Sequence, residues 1–373
     1  MIRQCIACLL AVAILCTHAM SAAASTPAHY KVVGYATGWD ASEDAQLARI
    51  DTLIFAFAHI RGDEAVLAPE AASRLDQLVG LKSMHPALKV VVSIGGWGVG
   101  GFSEMAASAS GRGRFADSVA RMLEAHHADG IDLDWEYPGH HESGIRSSSD
   151  DRANFTLLLT TVHERLDRAS QHDGRKQENR YTLSAAVADG PFVSDIDIGA
   201  AAKQVDWFNL MTYDFVNSMT PVTGHHAGLY ASANAPADAR TADRAVRQFL
   251  AAGAPADKLL IGVAMYGREF ADVQPAHDGL YQPYGHYAGG HPWPALKRDF
   301  IDRNGYARHW DSAAQAPWLW NPRTHAFISY DDPQSIAAKA AYVKAHHLGG
   351  IMYWEQQQDP SGELLDAIWH DLP

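Results

Sequence analysis

The sequence predicts an α/β protein, a (β/α)8 barrel that carries a small α+β insertion subdomain between strand 7 and helix 7. Eight short apolar runs recur along the chain, and amphipathic stretches with helical spacing lie between most of them. Strands that alternate with helices form a parallel sheet, and eight such units close into a barrel. With 373 residues, 47% of them hydrophobic, the chain is long enough for one domain of this kind.

The predicted strands are short runs rich in Val, Ile, Leu and aromatic residues. They cover residues 31–38, 52–59, 89–97, 131–136, 181–187, 205–214, 258–268 and 349–355. The clearest helices, predicted from apolar residues three and four positions apart, cover residues 70–84, 114–126, 151–166, 242–250 and 336–343. The barrel domain is therefore predicted over residues 25–270 and 329–373.

The segment between the seventh strand and its helix interrupts this rhythm. Residues 271–328 are rich in Tyr, Trp, Pro and Gly, and they are far more numerous than an ordinary connection between a strand and a helix needs. We predict that they fold as the insertion subdomain. Because the segment leaves the carboxyl end of a strand, where barrel enzymes place their sites, it should form one wall of a cleft.

The fourth strand carries the most informative pattern. From Ile131 to Glu136 apolar and acidic residues alternate, so that Asp132, Asp134 and Glu136 share one face. In a parallel barrel covered by helices, that face points inward. Carboxyl groups so close together in a partly dry interior tend to retain a proton, because desolvation and like charge both disfavour ionisation. The pattern therefore predicts a general acid near neutral pH.

Metal binding is the alternative to catalytic carboxylates. A calcium-binding loop would need glycine after Glu136 for its sharp turn, and Tyr137 stands there instead. A metal site of the Asp-X-Asp type remains open, although the chain lacks the phosphate-binding features that would accompany it. Pairs of adjacent histidines invite a zinc site, but neighbouring side chains diverge and no further ligand spacing completes one, so we predict no metal site and expect surface residues. These pairs are His126 and His127, His140 and His141, His225 and His226, and His346 and His347.

The charge and the first residues bear on partners and localisation. A net charge of −13 disfavours nucleic acid as a partner, since phosphate contacts rest on clustered Lys and Arg. Residues 1–24 have the pattern of a signal peptide, with Arg3, a short apolar core and a cleavage site near Ala24. The core is too short to span a membrane, and a lipoprotein anchor is disfavoured because Leu15 precedes Cys16. We expect a secreted monomer, extracellular or periplasmic, without a membrane anchor.

Several motifs at consistent positions resemble those of the family 18 glycoside hydrolases, the chitinases, over nearly all of the mature sequence. The acidic strand resembles the DxxDxDxE signature of that family, with every acid present from Asp129 to Glu136. Residues 93–96, Ser-Ile-Gly-Gly, resemble its SxGG motif on strand three, and the insertion resembles its α+β subdomain. Met211, Tyr213 and Asp214 resemble its strand-six group, and Trp354 resembles its strand-eight tryptophan.

The resemblance implies a retaining chitinase that hydrolyses β-1,4-linked N-acetylglucosamine polymers by substrate-assisted catalysis, without a cofactor. Glu136 would protonate the leaving glycosidic oxygen, and the carbonyl oxygen of the substrate's own 2-acetamido group would attack C1. Asp134 would bind the acetamido N–H, Asp132 would share a proton with Asp134, and Tyr213 would hold the acetamido oxygen. We expect Asp129 to be a structural acid at the strand entry.

The resemblance also implies a substrate-binding cleft, with Trp354 as the floor below the sugar at subsite −1. For Phe57 and Met211, packing inside the barrel is an equally good explanation. Met219 stands where many members of the family carry a tryptophan that stacks on product-side sugars, so that contact is not predicted here. The residues implied to line the cleft are Tyr35, Phe57, Gly96, Trp97, Tyr137, Met211, Asp214, Tyr266, Arg268 and Trp354.

Two other functions are compatible with the same motifs. A chitinase-like lectin would bind chitin without cleavage, but such proteins typically lack the acid that Glu136 provides here. An endo-β-N-acetylglucosaminidase acting on glycans would use the same chemistry. The aromatic insertion favours a long, deep cleft for a linear polymer, and hence an endo-acting chitinase with chitin or chito-oligosaccharides as its substrate.

Overall fold

The computed structural model describes residues 29–372, so the signal peptide predicted over residues 1–24 lies outside the described residues. Within them, the β-strands form two sheets. The strands are β1 (Lys31–Ala36), β2 (Thr52–Arg61), β3 (Glu64–Val66), β4 (Lys89–Gly95), β5 (Gly130–Asp134), β6 (Thr182–Val187), β7 (Trp207–Leu210), β8 (Leu259–Ala264), β9 (Tyr266–Ala271), β10 (His286–Pro292), β11 (Ala307–Asp311), β12 (Ala316–Asn321), β13 (Ala326–Tyr330) and β14 (Gly350–Trp354).

The first sheet is the closed parallel barrel that the sequence predicts. Its strands follow the order β1, β14, β8, β7, β6, β5, β4, β2, and β1 pairs in parallel with both β14 and β2, which closes the barrel. β3 adds only an antiparallel partner to β2. Inward-facing side chains such as Val33, Ile54, Val91 and Leu260 fill the interior as a core of their own. A filled interior leaves the strand ends as the place for a site.

The helices are α1 (Pro69–Gly80), α2 (Phe102–Ala106), α3 (Ala109–His126), α4 (Asp151–His172), α5 (Ile198–Ala201), α6 (Ala242–Ala251), α7 (Trp293–Ala295), α8 (Pro333–Ala345) and α9 (Glu363–Asp371). Local sequence explains where several of them begin. The Ser108 side chain caps α3 and the Thr241 side chain caps α6. A capping box between Asp332 and Ser335 starts α8. Among residues 29–372, no helix combines the length and the hydrophobicity that a membrane span requires.

The main hydrophobic core joins the outward-facing strand residues to the helices. Phe55 and Leu133 on the strands belong to the same buried cluster as Phe115 of α3 and Leu159 of α4. Each barrel strand therefore buries both of its faces, one toward the interior and one toward the helices. This two-sided burial explains why the strands read as nearly continuous apolar runs.

The second sheet is antiparallel, with the order β10, β9, β13, β12, β11, and it occupies the part of the chain where the insertion is expected. The prediction of one seventh strand over residues 258–268 is wrong, because β8 ends at Ala264 and β9 begins at Tyr266 in the second sheet. β9 leaves the barrel to pair with β10 and β13, which are distant in sequence, so the apolar run gives no local sign of the break. The bounds of the insertion as a unit, 271–328, stay a prediction.

Candidate active site

The predicted functional residues gather at the carboxyl ends of the barrel strands. β4 ends at Gly95, β5 at Asp134 and β14 at Trp354, and the ends of parallel strands meet at one rim. The predicted fourth and sixth strands are too long: β5 stops before Glu136, and β7 stops at Leu210. The strand pairing of β5 with β4 and β6 does not extend beyond Asp134, so Glu136 stands on the segment above the rim.

Asp132 is buried inside the barrel, and its carboxylate is held by donors from four other strands. Oδ1 accepts from Ser184 Oγ at 2.7 Å and from Asn209 Nδ2 at 3.1 Å. Oδ2 accepts from Ser93 Oγ at 2.8 Å and from the Tyr35 hydroxyl at 2.9 Å. Burial raises the pKa of Asp132, and these hydrogen bonds oppose the shift. The carboxylate is therefore fixed in one orientation.

Asp134 is much less satisfied than Asp132. Oδ1 of Asp134 is buried without a hydrogen-bond partner among residues 29–372. Burial, together with the negative charges of Glu136 and Asp132, raises the pKa of Asp134 well above its usual range. Burial and the charge of Asp214 raise the pKa of Glu136 to about 7, although Tyr137 opposes that shift. The cluster therefore retains a proton near neutral pH, which agrees with the expectation from like charges in a dry interior.

Tyr213 is buried close to these acids. Burial, followed by the charges of Asp134, Asp214 and Glu136, raises the pKa of its hydroxyl well above the usual range, so Tyr213 remains a neutral donor. Gly262 on β8 makes room for the ring, since a Cβ at that position would lie 2.8 Å from it. The arrangement places a hydroxyl donor beside the acidic cluster.

Aromatic side chains form a floor inside the rim. The Trp354 ring lies 5.6 Å from that of Phe57 in a stacked arrangement and 5.6 Å from that of Tyr35 in a tilted one. Gly96 permits the close approach of Phe57, because it has a φ of +98° and a Cβ there would lie 3.0 Å from the ring. Phe57 and Met211 both pack against the barrel interior, which agrees with a packing role for them. Both side chains are only partly buried.

A second aromatic group flanks the site. Trp97 is 50% exposed and meets Tyr137 edge-on at 6.2 Å. Tyr137 packs in turn against Phe192 at 4.5 Å, and Arg240 lies over the Phe192 ring at 5.5 Å. Nε of Arg240 is 2.8 Å from Oδ1 of the buried Asp189, which holds the guanidinium in place. These contacts form a partly exposed wall of rings backed by an ion pair.

Asp214 and Arg268 form a bidentate ion pair. Nε of Arg268 lies 2.8 Å from Oδ1 of Asp214, and Nη2 lies 2.5 Å from Oδ2. The guanidinium also lies 4.6 Å from the centre of the Tyr266 ring. Burial alone would raise the pKa of Asp214, but His226 and Arg268 outweigh it and hold the pKa well below its usual range. Asp214 is therefore an anion, and its charge helps to raise the pKa of Glu136.

The expectation that all the paired histidines are surface residues is wrong for His225 and His226, which are buried in the segment after β7. Nε2 of His225 lies 3.1 Å from Oδ2 of Asp311, and Nδ1 of His226 lies 3.4 Å from Oδ1 of Asp214. The segment runs against the second sheet, where the backbone N–H of His226 donates to Ser329 Oγ at 2.8 Å. Such long-range packing leaves no trace in the local sequence pattern.

Asp129 stands at the entry of β5, at the opposite end from Asp134. Its carboxylate accepts from Lys82 Nζ at 2.8 Å, from Arg175 Nη1 at 3.2 Å and from the backbone N–H of Val90 at 3.0 Å. One carboxylate thus pairs with two positively charged side chains and accepts a hydrogen bond from a backbone N–H. These contacts match the structural role expected for Asp129.

Sequence reasoning missed several residues of the site. Ser184 and Asn209 lie at inward positions of β6 and β7, in the same alternation as the interior residues Ala186 and Trp207. A polar residue at an inward strand position was therefore an available signal. Phe192 lies on the short 3₁₀ helix Gly190–Val193 between β6 and α5, which is too short for a side-chain period to mark it. Within the described part of the chain, no group of three or more His, Cys, Asp or Glu side chains could hold a metal ion.

A parallel barrel with a proton-bearing carboxyl group, a second buried carboxyl group and an aromatic floor at its rim has the architecture of a barrel glycoside hydrolase. The comparison with protein families gives the family itself. Residues 31–359 match the glycosyl hydrolases family 18, and the chain belongs to that family.

Known proteins of similar sequence and structure agree with this membership. Chitinase A1 of Niallia circulans is 38% identical over 320 residues, which cover 81% of this chain and 45% of that protein. Chitotriosidase-1 of Mus musculus is 32% identical over 314 residues, covering 81% of this chain and 65% of that protein. The chain thus spans less than two thirds of either relative. A solved family 18 N-acetylglucosaminidase from Paenibacillus barengoltzii shares 38% identity with a TM-score of 0.86, covering 92% of this chain and 100% of that chain.

Proposed function

We propose that this protein is a chitinase, which cleaves β-1,4-linked N-acetylglucosamine polymers with retention of configuration at C1. The observation that supports this most directly is a pair of unlike carboxyl groups. Burial raises the pKa of Glu136 to about 7, and Asp134 has a buried Oδ1 without a hydrogen-bond partner in the described chain. The first supplies a proton to a leaving group, and the second supplies an acceptor for a substrate donor. Membership of family 18 supports the same hypothesis.

In the proposed reaction, Glu136 donates its proton to the glycosidic oxygen while the bond between that oxygen and C1 breaks. The carbonyl oxygen of the 2-acetamido group at subsite −1 attacks C1 from the opposite face and forms an oxazolinium ion. Glu136 then takes a proton from water, and the resulting hydroxide oxygen attacks C1 and restores the acetamido group. Two successive inversions leave the original configuration.

Asp134, Asp132 and Tyr213 position the nucleophile in this proposal. The free Oδ1 of Asp134 accepts the acetamido N–H, and its negative charge stabilises the positive oxazolinium ion. Asp132 exchanges a proton with Asp134 as that charge develops, and Tyr213 donates its hydroxyl to the acetamido oxygen. A nucleophile held within the substrate replaces a bimolecular step by a unimolecular one, which lowers the barrier by several kcal/mol, roughly 7 in well-oriented cases.

The stereochemistry of the product tests the proposal. Proton NMR of a freshly cleaved chito-oligosaccharide, recorded before mutarotation, should show the β-anomer at the new reducing end. The α-anomer as the first product would contradict a retaining mechanism, and no cleavage would favour the alternative of a chitin-binding lectin.

We further propose endo action on long chains. The partly exposed rings of Trp97, Tyr137 and Phe192 follow β4, β5 and β6, whereas Arg268 lies on β9 of the second sheet, and contacts from two such separate groups suit a substrate of several sugar units. The similarity to the Paenibacillus barengoltzii enzyme favours a second candidate, an N-acetylglucosaminidase. An endo enzyme releases short oligomers from chitohexaose first, whereas that candidate releases the monosaccharide first.

Secretion and the oligomeric state belong to the same proposal. We expect an exported monomer that acts on chitin or chito-oligosaccharides without a cofactor, and that binds neither nucleic acid nor a membrane. Amino-terminal sequencing of exported protein should begin close to the residue after Ala24, and gel filtration should give the mass of one chain.

A further inference from the structure

His226 is a buried ionisable group next to the site that the proposed reaction does not use. Its side chain is fully buried, and its ring lies 5.4 Å from that of Tyr266. The backbone is fixed from two directions, because its N–H donates to Ser329 Oγ and its carbonyl oxygen accepts from the N–H of Phe215. The imidazole is therefore held in place between the loop after β7 and the second sheet.

The imidazole lies directly behind the ion pair of Asp214 and Arg268. Its Nδ1 is 3.4 Å from Oδ1 of Asp214, which is within ion-pair range but outside the geometry of a good hydrogen bond. Neither Nδ1 nor Nε2 has a hydrogen-bond partner among the side chains and backbone that the structure describes. The Asp214 carboxylate lies within ion-pair range of Nδ1, so it can accept a hydrogen bond from an Nδ1–H.

Burial and the charges around His226 act on its protonation state in opposite directions. Asp214 comes from the loop after β7, Arg268 from β9, and Asp331 from the turn between β13 and α8. Asp331 is itself paired with the fully buried Lys339 of α8 at 2.5 Å. Burial lowers the pKa of His226 and outweighs the attraction of the two aspartates. His226 is thus neutral at neutral pH, and Asp214 favours the tautomer with hydrogen on Nδ1.

Asp214 itself needs external support. Its backbone has a φ of +55°, in the left-handed region, where a residue other than glycine is held by its contacts. Arg268 supplies two of those contacts, and His226 and the hydroxyl of Tyr266 also interact with the carboxylate. The orientation of the Asp214 carboxylate depends on all three.

We propose that His226 is a positioning residue, which donates Nδ1–H to Asp214 and, by partly balancing that charge, sets the upper pH limit at which Glu136 still acts as an acid. The proposal rests on the proposed function of Glu136 as the general acid. Asp214 acts on Glu136 through its charge, and His226 acts only through Asp214. A donor directed at a carboxylate makes the potential around it less negative, so loss of the donor raises the pKa of Glu136 further.

The test compares the pH dependence of kcat/KM of the full chain on chitohexaose, whose leaving group needs the proton. The basic limb of this profile is the pH range in which kcat/KM falls as the pH rises. In His226→Leu, which replaces the donor with an apolar side chain, the basic limb should move to higher pH by about 0.5 pH unit. In His226→Asn the amide nitrogen takes nearly the place of Nδ1, so the limb should return to the wild-type position. The matched control is His225→Asn, which changes the adjacent histidine and its contact with Asp311 and should leave the limb unmoved.

A limb that stays in place or moves to lower pH in His226→Leu would overturn the proposal, as would His226→Asn behaving like His226→Leu. A purely structural role would lower thermal stability and activity equally at every pH, without moving the limb. If His226→Leu fails to fold, nitrogen NMR of the wild-type histidines decides the question. The signals that His226→Asn removes should report hydrogen on Nδ1, and hydrogen on Nε2 alone would overturn the contact with Asp214.

The two proposals fail in different ways. If the wild-type protein does not cleave chitohexaose, or Glu136→Gln remains fully active, the proposed function fails, and the NMR experiment still tests the contact between His226 and Asp214. If Glu136→Gln is inactive and His226→Leu leaves the basic limb at the wild-type pH, only the positioning role fails.

Discussion

Asp132 and Asp134 lie two residues apart on the same strand, yet hydrogen bonds saturate the carboxylate of Asp132 and leave Oδ1 of Asp134 without a partner in the described chain. Both carboxyl groups are buried, and burial raises the pKa of each. The barrel therefore fixes one of the two acids and leaves the other able to accept a hydrogen bond from a substrate. This difference separates their expected responses to mutation.

We predict that Ser184→Ala destabilises the fold and that Asp134→Asn does not. Ser184 donates to the buried Asp132 at 2.7 Å, and loss of one hydrogen bond to a charged group costs about 1.5–3 kcal/mol of the free energy of unfolding. Asp134→Asn keeps the size of a buried carboxyl group whose charged form is disfavoured, so stability should hold while kcat falls by roughly two orders of magnitude. Urea unfolding and turnover of chitohexaose measure both effects. Unchanged stability in Ser184→Ala, or unfolding of Asp134→Asn, would contradict this assignment.

We predict that Glu136→Gln folds and binds chito-oligosaccharides but turns over more slowly, by roughly two orders of magnitude or more. The amide keeps the size and polarity of the side chain and removes only the transferable proton. Calorimetry measures the binding of chito-oligosaccharides, and chromatography measures the rate of product release. Glu142→Gln, at an exposed position six residues further on, is the matched control and should retain full turnover. Near-normal turnover of Glu136→Gln would remove the basis for the assignment of the acid.

The pH dependence of kcat/KM should change when the charge of Asp214 is removed. Because the pKa of Glu136 is raised to about 7 and its protonated form is the active one, kcat/KM should fall as the pH rises through about 7. In Asp214→Asn, one cause of that shift is gone, so the pKa of Glu136 falls and the basic limb moves to lower pH. Since Glu136 and Asp134 interact, the limb reports a shared apparent pKa. A basic limb at the same pH in both proteins would show that the charge of Asp214 does not reach Glu136.

The barrel and the acidic cluster could be predicted because both depend on patterns within single strands. Alternation from Ile131 to Glu136 is a local property, and in a parallel barrel covered by helices it directs Asp132 into the interior. The start of α3 was placed five residues too late, because glycines in its first turns weaken the helical signal although Ser108 caps the helix. In both cases the local sequence contained the answer.

The remaining parts of the site depend on contacts between distant segments. Whether His226 is buried depends on Ser329, about a hundred residues further along the chain, and on the second sheet as a whole. The break between β8 and β9 likewise depends on pairing with β10 and β13. Side-chain periodicity contains no information about such partners, so adjacent histidines looked like surface residues.

Met219 offers a test of the product side of the cleft. Its side chain is 57% exposed on the loop that follows β7 and Asp214. We predict that Met219→Trp tightens binding of oligomers that extend past the cleavage point, since a stacked aromatic ring contributes about 0.5–1.5 kcal/mol beyond the area it buries. Met84→Trp is the control, because Met84 is 52% exposed after α1, away from the rim. Equal affinity of both variants for long and short oligomers would show that this loop does not reach the product side.

The chemical groups that a sugar needs at subsite −1 show whether the nucleophile belongs to the enzyme or to the substrate. If Asp134 attacked C1 itself, a polymer without 2-acetamido groups would still be cut once bound. If the acetamido oxygen attacks, glucosamine at subsite −1 offers no carbonyl, and its ammonium group places positive charge beside a developing positive centre. We therefore predict that partly acetylated chitosan is cut only where N-acetylglucosamine occupies subsite −1, and that a stable thiazoline analogue of the intermediate inhibits. Sequencing the new reducing ends measures this, and abundant glucosamine there would rule out substrate assistance.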